Sequence, residues 1–126
     1  MKNFSFNPPN GFEEFNVPLL GHIFEFYKTA YNYIQLFPQK DKYTLGKNIE
    51  NLTLEILKLV FLAGNSSKEE KLDLLKQASA NTDLLKIMVR LAKEVKATDI
   101  KKYVQLQEKL QEIGRMLGGW IRSLRH

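Results

Sequence analysis

The sequence predicts an all-α fold, an antiparallel up-down-up-down four-helix bundle, and three observations carry that expectation. Apolar residues recur at spacings of three and four through four long segments. Short polar or turn-forming connections separate these segments, which favours antiparallel neighbours. No stretch shows the strict alternation of a half-buried strand.

Residues 1–16 read as an N-terminal arm ahead of a bundle spanning 17–126. The arm holds Pro8 and Pro9 together with Phe4, Phe6, Phe12 and Phe15, which is unusually aromatic for a solvated tail. It is expected to pack on its own protein or on a neighbouring subunit. Asn16 can cap the first helix, with Pro18 tolerated in the first turn. Leu20, Ile23, Phe24, Tyr27, Ala30, Tyr31, Ile34 and Phe37 form its stripe, and Pro38 is its stop. Gln39 to Lys42 then reads as a short polar loop.

The second helix is expected from Tyr43 or Thr44 to Ala63, with Leu45, Ile49, Leu52, Ile56, Leu59 and Val60 inward and Gly64-Asn65 as the stop. Ser66 and Ser67 each precede a glutamate by three residues, so either can open a capping box for the third helix. That helix is expected to reach Lys96, with the weak helix formers from Ser79 to Asp83 bending it or splitting it. Thr98-Asp99 caps the fourth helix, which runs through Tyr103, Leu106, Leu110, Ile113 and Leu117.

The last helix contains Gly114, Gly118 and Gly119, each costing roughly 1 kcal/mol against alanine in a helix interior. Their presence predicts close approach by another backbone or a large side chain, with the adjacent Trp120 as the bulky partner. Leu54, Leu57 and Phe61 on the second helix, and Leu84, Ile87 and Leu91 on the third, make apolar lines beyond the one a lone bundle needs. This excess predicts burial against further copies of the chain, without setting their number.

Lys plus Arg outnumber Asp plus Glu by 19 to 14, a formal charge of +5. That balance favours an anionic partner, nucleic acid first and an acidic membrane surface second. Residues 98–126 carry six basic and three acidic residues, residues 1–37 two and three, so the excess belongs to the later helices. In an up-down bundle, one end gathers Lys40, Lys42, Lys47, Arg90, Lys93, Lys96, Lys101 and Lys102. The other gathers Lys58, Lys68, Lys71, Arg115, Arg122 and Arg125. Lys86, Arg90 and Lys93 share a helix face and can hold phosphates by charge, as can Lys40, Lys42, Lys47, Arg115, Arg122 and Arg125. For any one of these lysines the alternative is a solvated surface position among acids.

Catalytic and cofactor signatures are missing. His22 and His126 are the only histidines, and neither follows a glutamate by three residues, as a di-metal carboxylate bundle requires. There is no phosphate-binding loop, dinucleotide fingerprint or nucleophile elbow. A non-enzymatic chain without metal or cofactor is expected. The absence of cysteine, of a signal-peptide run and of any membrane-length apolar segment predicts a cytoplasmic protein with no membrane partner.

Several phrases carry a family resemblance: Phe37-Pro38-Gln39-Lys40, Tyr43-Thr44-Leu45-Gly46, Val89-Arg90-Leu91-Ala92-Lys93-Glu94, and Ile113-Gly114-Arg115-Met116-Leu117-Gly118-Gly119-Trp120-Ile121. In order and spacing, over roughly the last 90 to 100 residues, the chain resembles the accessory variability determinant (Avd) proteins of diversity-generating retroelements. It also resembles the wider four-helix-bundle family encoded in ribosomal RNA intervening sequences. The Avd resemblance implies a homopentameric ring with a positive surface. It also implies binding to the element's reverse transcriptase and to nucleic acid, template RNA or cDNA, in support of mutagenic retrohoming. By position it makes Arg90 and Arg115 charge carriers near nucleic acid or polymerase, or structural arginines tied to a neighbouring subunit. A bundle of the ribosomal intervening-sequence type and a protein-only interaction scaffold are the alternative readings.

Overall fold

The computed structural model describes residues 16–125. The N-terminal arm, with its four phenylalanines, lies outside the described residues. Helix α1 spans Asn16–Ile34, α2 is a single turn at Gln39–Asp41, and a π-helical turn occupies Lys42–Gly46. Helices α3 (Lys47–Gly64), α4 (Lys68–Glu94) and α5 (Ile100–Ser123) complete the chain. α1 packs on α3 and α5, and α4 packs on the same two, so the four long helices close into an up-down-up-down square.

Each long helix contributes one stripe to a single core: Leu19, Ile23, Phe26 and Ala30 from α1, and Ile49, Ile56, Val60 and Ala63 from α3. Leu75, Ala78, Leu85 and Val89 come from α4, and Leu106, Leu110, Ile113, Leu117 and Trp120 from α5. Burying a Leu, Ile or Phe side chain contributes about 1.5–3 kcal/mol, so these stripes dominate the stabilisation.

Two expectations are corrected. The polar loop from Gln39 to Lys42 is helical: Asp41 and Lys42 N–H donate to the Pro38 carbonyl at 2.9 and 3.0 Å. Pro38, which has no N–H to lose, therefore opens a new helix as well as following α1. Through the widened turn that follows, Thr44 Oγ1 donates to the Lys40 carbonyl at 2.8 Å and Asn48 Nδ2 to the Thr44 carbonyl at 2.9 Å. Side chains here supply hydrogen bonds to carbonyls of a turn with irregular pairing.

The α4 helix is unbroken through Ser79 to Asp83. Ala78 and Thr82 are buried there, and Thr82 Oγ1 satisfies itself on the Ala78 carbonyl at 2.8 Å, so packing overrides weak propensity. The same helix stops at Glu94 and not at Lys96, because Lys96 turns to φ 63°.

Of the two serines expected as caps, one takes the role. Ser67 forms the capping box: its Oγ accepts from Glu70 N–H and its N–H donates to Glu70 Oε1, both at 3.3 Å. Ser66 Oγ instead donates to the Leu62 carbonyl at 2.7 Å and finishes α3.

Among the described residues, no backbone approaches Gly114, Gly118 or Gly119. A Cβ at these positions would meet only the tips of Lys86 or Arg122, at 3.3–3.8 Å. Trp120 is wholly buried on the core side, with the Lys71 ammonium 5.9 Å from its ring centroid, while the three glycines lie half-exposed beside that stripe. Close approach occurs elsewhere, at Gly46, which is buried against Ile34.

Candidate nucleic-acid interface

One pole of the bundle is made where the chain leaves α1, passes through α2 and the π-turn, and later turns from α4 into α5. Tyr33 on α1 donates its hydroxyl to Gln105 Oε1 on α5, tying two of these elements together. Lys102 Nζ stands 5.7 Å from the Tyr33 ring centroid, and Lys93 Nζ stands 4.7 Å from that of Tyr103. Both are cation–π geometries that hold lysine stems against aromatic faces.

Of the sequence-predicted site residues, Lys40, Lys42, Lys47, Arg90 and Lys93 belong to this pole. Lys40, Lys47 and Arg90 are exposed; Lys42 and Lys93 are half-buried. Lys96 joins them from the α4–α5 connection, and Lys101 and Lys102 from the first turn of α5. The acids here are Asp41, Glu94 and Asp99. Glu94 lies 3.4 Å from Lys93 Nζ and 3.8 Å from Arg90 Nε, and Asp99 lies 2.8 Å from Lys102 Nζ. Among the described residues, no carboxylate lies within 4.0 Å of Lys40, Lys42, Lys47, Lys96 or Lys101. Their charge faces solvent uncompensated at short range.

Asp99 also caps α5, its Oδ1 accepting from Lys102 N–H at 2.8 Å. Bonds from the Lys102 ammonium and N–H hold the Asp99 carboxyl below its ordinary value, and the same pair raises Lys102. The Thr98 hydroxyl is buried nearby, with no hydrogen-bond partner among the described residues.

Between the α1 tail and the α4–α5 turn lies an open groove of about 620 Å³, lined by Leu36, Ala97, Thr98 and Ile100 with Lys93, Lys96 and Lys102. Glu94 and Asp99 complete its lining. The sequence marked the lysines but not the apolar rim. Leu36 and Ile100 sit more than sixty residues apart in the chain, and no local pattern signals their meeting.

The remaining predicted charges fall elsewhere. Lys86 lies mid-bundle over Gly114, with Asp83 at 3.9 Å and its carbonyl accepting from Gln107 Nε2 at 3.0 Å. Arg115 is clamped by Glu112, its Nε donating to Oε1 at 2.9 Å and its Nη2 to Oε2. That pairing lowers Glu112 and raises Arg115. Arg122 and Arg125 are exposed at the opposite pole, about 36 Å away along the 24 residues of α5. The predicted cations therefore form two separate poles and a mid-helix residue.

The predicted packing residues divide as well. Leu84, Ile87 and Leu91 are exposed along α4, Ile87 by 64%, and Val95 extends the row. Leu54 and Phe61 are exposed on α3, and an apolar groove of about 290 Å³ between α1 and α3 is lined by Phe24, Tyr27, Leu54 and Leu57. Among the described residues there is no cluster of three or more His, Cys, Asp or Glu able to hold a metal. No described helix is long and apolar enough to cross a membrane.

No curated protein matches the chain. The family model described as bAvd-like matches residues 20–124, taking in all four long helices, the basic pole and the Gly-Gly-Trp phrase. The chain belongs to the bAvd-like family, as an Avd-type protein.

Proposed function

We propose that this protein is a non-catalytic accessory subunit of a diversity-generating retroelement, which binds the element's reverse transcriptase and its template RNA or cDNA in support of mutagenic retrohoming. The observation that carries the nucleic-acid part is the pole where Lys40, Lys42, Lys47, Lys96 and Lys101 stand without a carboxylate within 4.0 Å among the described residues. Such a surface releases counterions from a phosphate backbone and reads little sequence. Arg90, exposed beside that pole, joins it; Arg115 contributes to the bundle surface through Glu112. Five copies closing into a ring would repeat the pole five times and sum its field, and the row Leu84, Ile87 and Leu91 is the surface that supports assembly.

The test is mass in solution together with RNA binding across a salt series, for wild type and for Lys40→Glu/Lys47→Glu. A closed oligomer is expected, with log K falling linearly in log salt and a shallower slope in the variant. An oligomer that ignores RNA would leave a protein-only scaffold. A monomer that ignores RNA would remove both parts of the reading.

A further inference from the structure

The basic pole holds one lysine in a backbone conformation that glycine adopts more easily. α4 ends in a Schellman arrangement: Lys96 N–H donates to the Lys93 carbonyl at 3.0 Å and Ala97 N–H to the Ala92 carbonyl at 2.8 Å. The left-handed position in that motif is usually glycine, because a Cβ crowds the following carbonyl. Here it is Lys96, at φ 63°, the single non-glycine residue with positive φ among the described residues. A strained residue at a surface turn points to a use for its side chain.

The charges around it define that use. Both carboxylates of the groove are matched by other cations, Glu94 by Lys93 and Arg90 and Asp99 by Lys102. Lys96 is exposed, lines the groove and has no carboxylate within 4.0 Å among the described residues. Beside it stand two apolar side chains that the fold leaves in water, Leu36 at 69% and Ile100 at 66% exposure. A cation without a counter-ion next to an apolar rim suits a ligand with an anionic backbone and a flat apolar face.

Resting on the nucleic-acid reading above, we propose that Lys96 binds a phosphate of a single-stranded nucleic acid lying in this groove, with an unstacked base covering Leu36 and Ile100. A duplex keeps its bases stacked inside and offers such a rim only sugar and phosphate. A single strand can splay a base onto it. The groove, at about 620 Å³, has room for a nucleotide. Replacing Lys96 by glycine would relax the turn and remove the groove lining's one cation without a carboxylate among the described residues, so stability and binding should move in opposite directions.

The experiment compares wild type, Lys96→Gly, Lys76→Gln and Leu36→Ser/Ile100→Ser. The readouts are thermal melting and binding of a uridine 20-mer across a salt series. Lys96→Gly is expected to melt a few degrees higher. It should bind the oligomer about three- to tenfold more weakly near 0.1 M salt, with a log–log salt slope shallower by at least about 0.7. Lys76→Gln removes an exposed charge about 30 Å away along α4 and should leave the slope unchanged. The double serine variant should weaken binding with no change in slope. A more stable Lys96→Gly with an unaltered slope overturns the inference and leaves the pole's function standing. A melting point that does not rise overturns the strain argument, and with it the inference. A duplex that competes as well as the single strand overturns the choice of ligand. A wild type that binds no oligomer even at low salt overturns the proposed function itself.

Discussion

Gly46 lies against Ile34 so closely that no side chain can stand there: a Cβ would come within 2.6 Å of Ile34 Cγ2 and 3.4 Å of the Asp41 carbonyl oxygen. This contact seats the π-turn on the end of α1 and so fixes where Lys40 of α2 and Lys42 of the turn project. Gly46→Ala must push a buried isoleucine out of its place, an overpacking cost of about 1–3 kcal/mol. Urea denaturation of the purified variant measures it, and an unchanged midpoint would show that the turn can shift freely.

Gly119 is the opposite case. A Cβ there meets only the flexible end of Arg122, at 3.8 Å. Gly119→Ala is expected to stabilise the folded chain by about 0.5–1 kcal/mol, through helix propensity alone. The same denaturation series checks it. Lost stability or a smaller assembly would place another chain against this side of α5.

Ile87→Lys probes the outer face of α4. The side chain is 64% exposed in the single chain, so its replacement should change the fold's own stability by no more than about 0.5 kcal/mol. Light scattering is expected to show a smaller assembly while circular dichroism keeps its helical signal. An intact assembly would exclude this row from the subunit contact.

Ser67 and Ser66 separate two roles that look alike in sequence. Ser67→Ala removes the capping box of α4 and should cost about 1 kcal/mol. Ser66→Ala removes only a hydroxyl that donates back to Leu62, and should cost clearly less. Equal losses in thermal melts would argue against Ser67 as the cap.

Acid should weaken the fold through Asp99, Glu112 and Glu25, whose carboxyls are held below their ordinary values by bonds from Lys102, Arg115 and Lys28. A depressed folded value means the contribution is complete above the unfolded value and is lost as pH falls through the folded one. Stability should therefore be flat from neutral pH down to about 4–4.5 and decline below. Asp99→Asn keeps a capping oxygen and cannot titrate, so its urea midpoint should converge on that of wild type as pH falls. Parallel curves would assign the acid loss to other groups.

The stripes and the topology were legible in the sequence, because burial imposes a period of 3.6 on Ile49, Ile56, Leu106 and Leu110 as it does on any packed helix. The basic pole followed from topology and loop order. What stayed hidden depends on what lies opposite a residue. Glycine at 46 and at 114 is the same letter, and only the fold places Ile34 against one and a lysine tip against the other. Propensity alone disfavoured Ser79 to Asp83, while the buried Ala78 and Thr82 held the helix straight through. Arg115 looked like available charge until Glu112, three residues earlier, proved to hold it. Nothing local marked Lys96 as left-handed, since the sequence offers no glycine at that turn.

Because the chain crosses the bundle four times, α1 begins and α5 ends at the pole opposite the lysines. A fluorophore or affinity handle attached at Ser123 thus sits roughly a helix length, about 36 Å, from the basic groove. Tethering there to a sensor surface would turn the groove outward to the analyte. In any ring whose axis runs along the helices, one rim would carry the groove and the lysines around it, and the other would carry Arg122, Arg125 and the attachment point. Such an assembly has two chemically different faces, and a ligand can approach them with very different affinity.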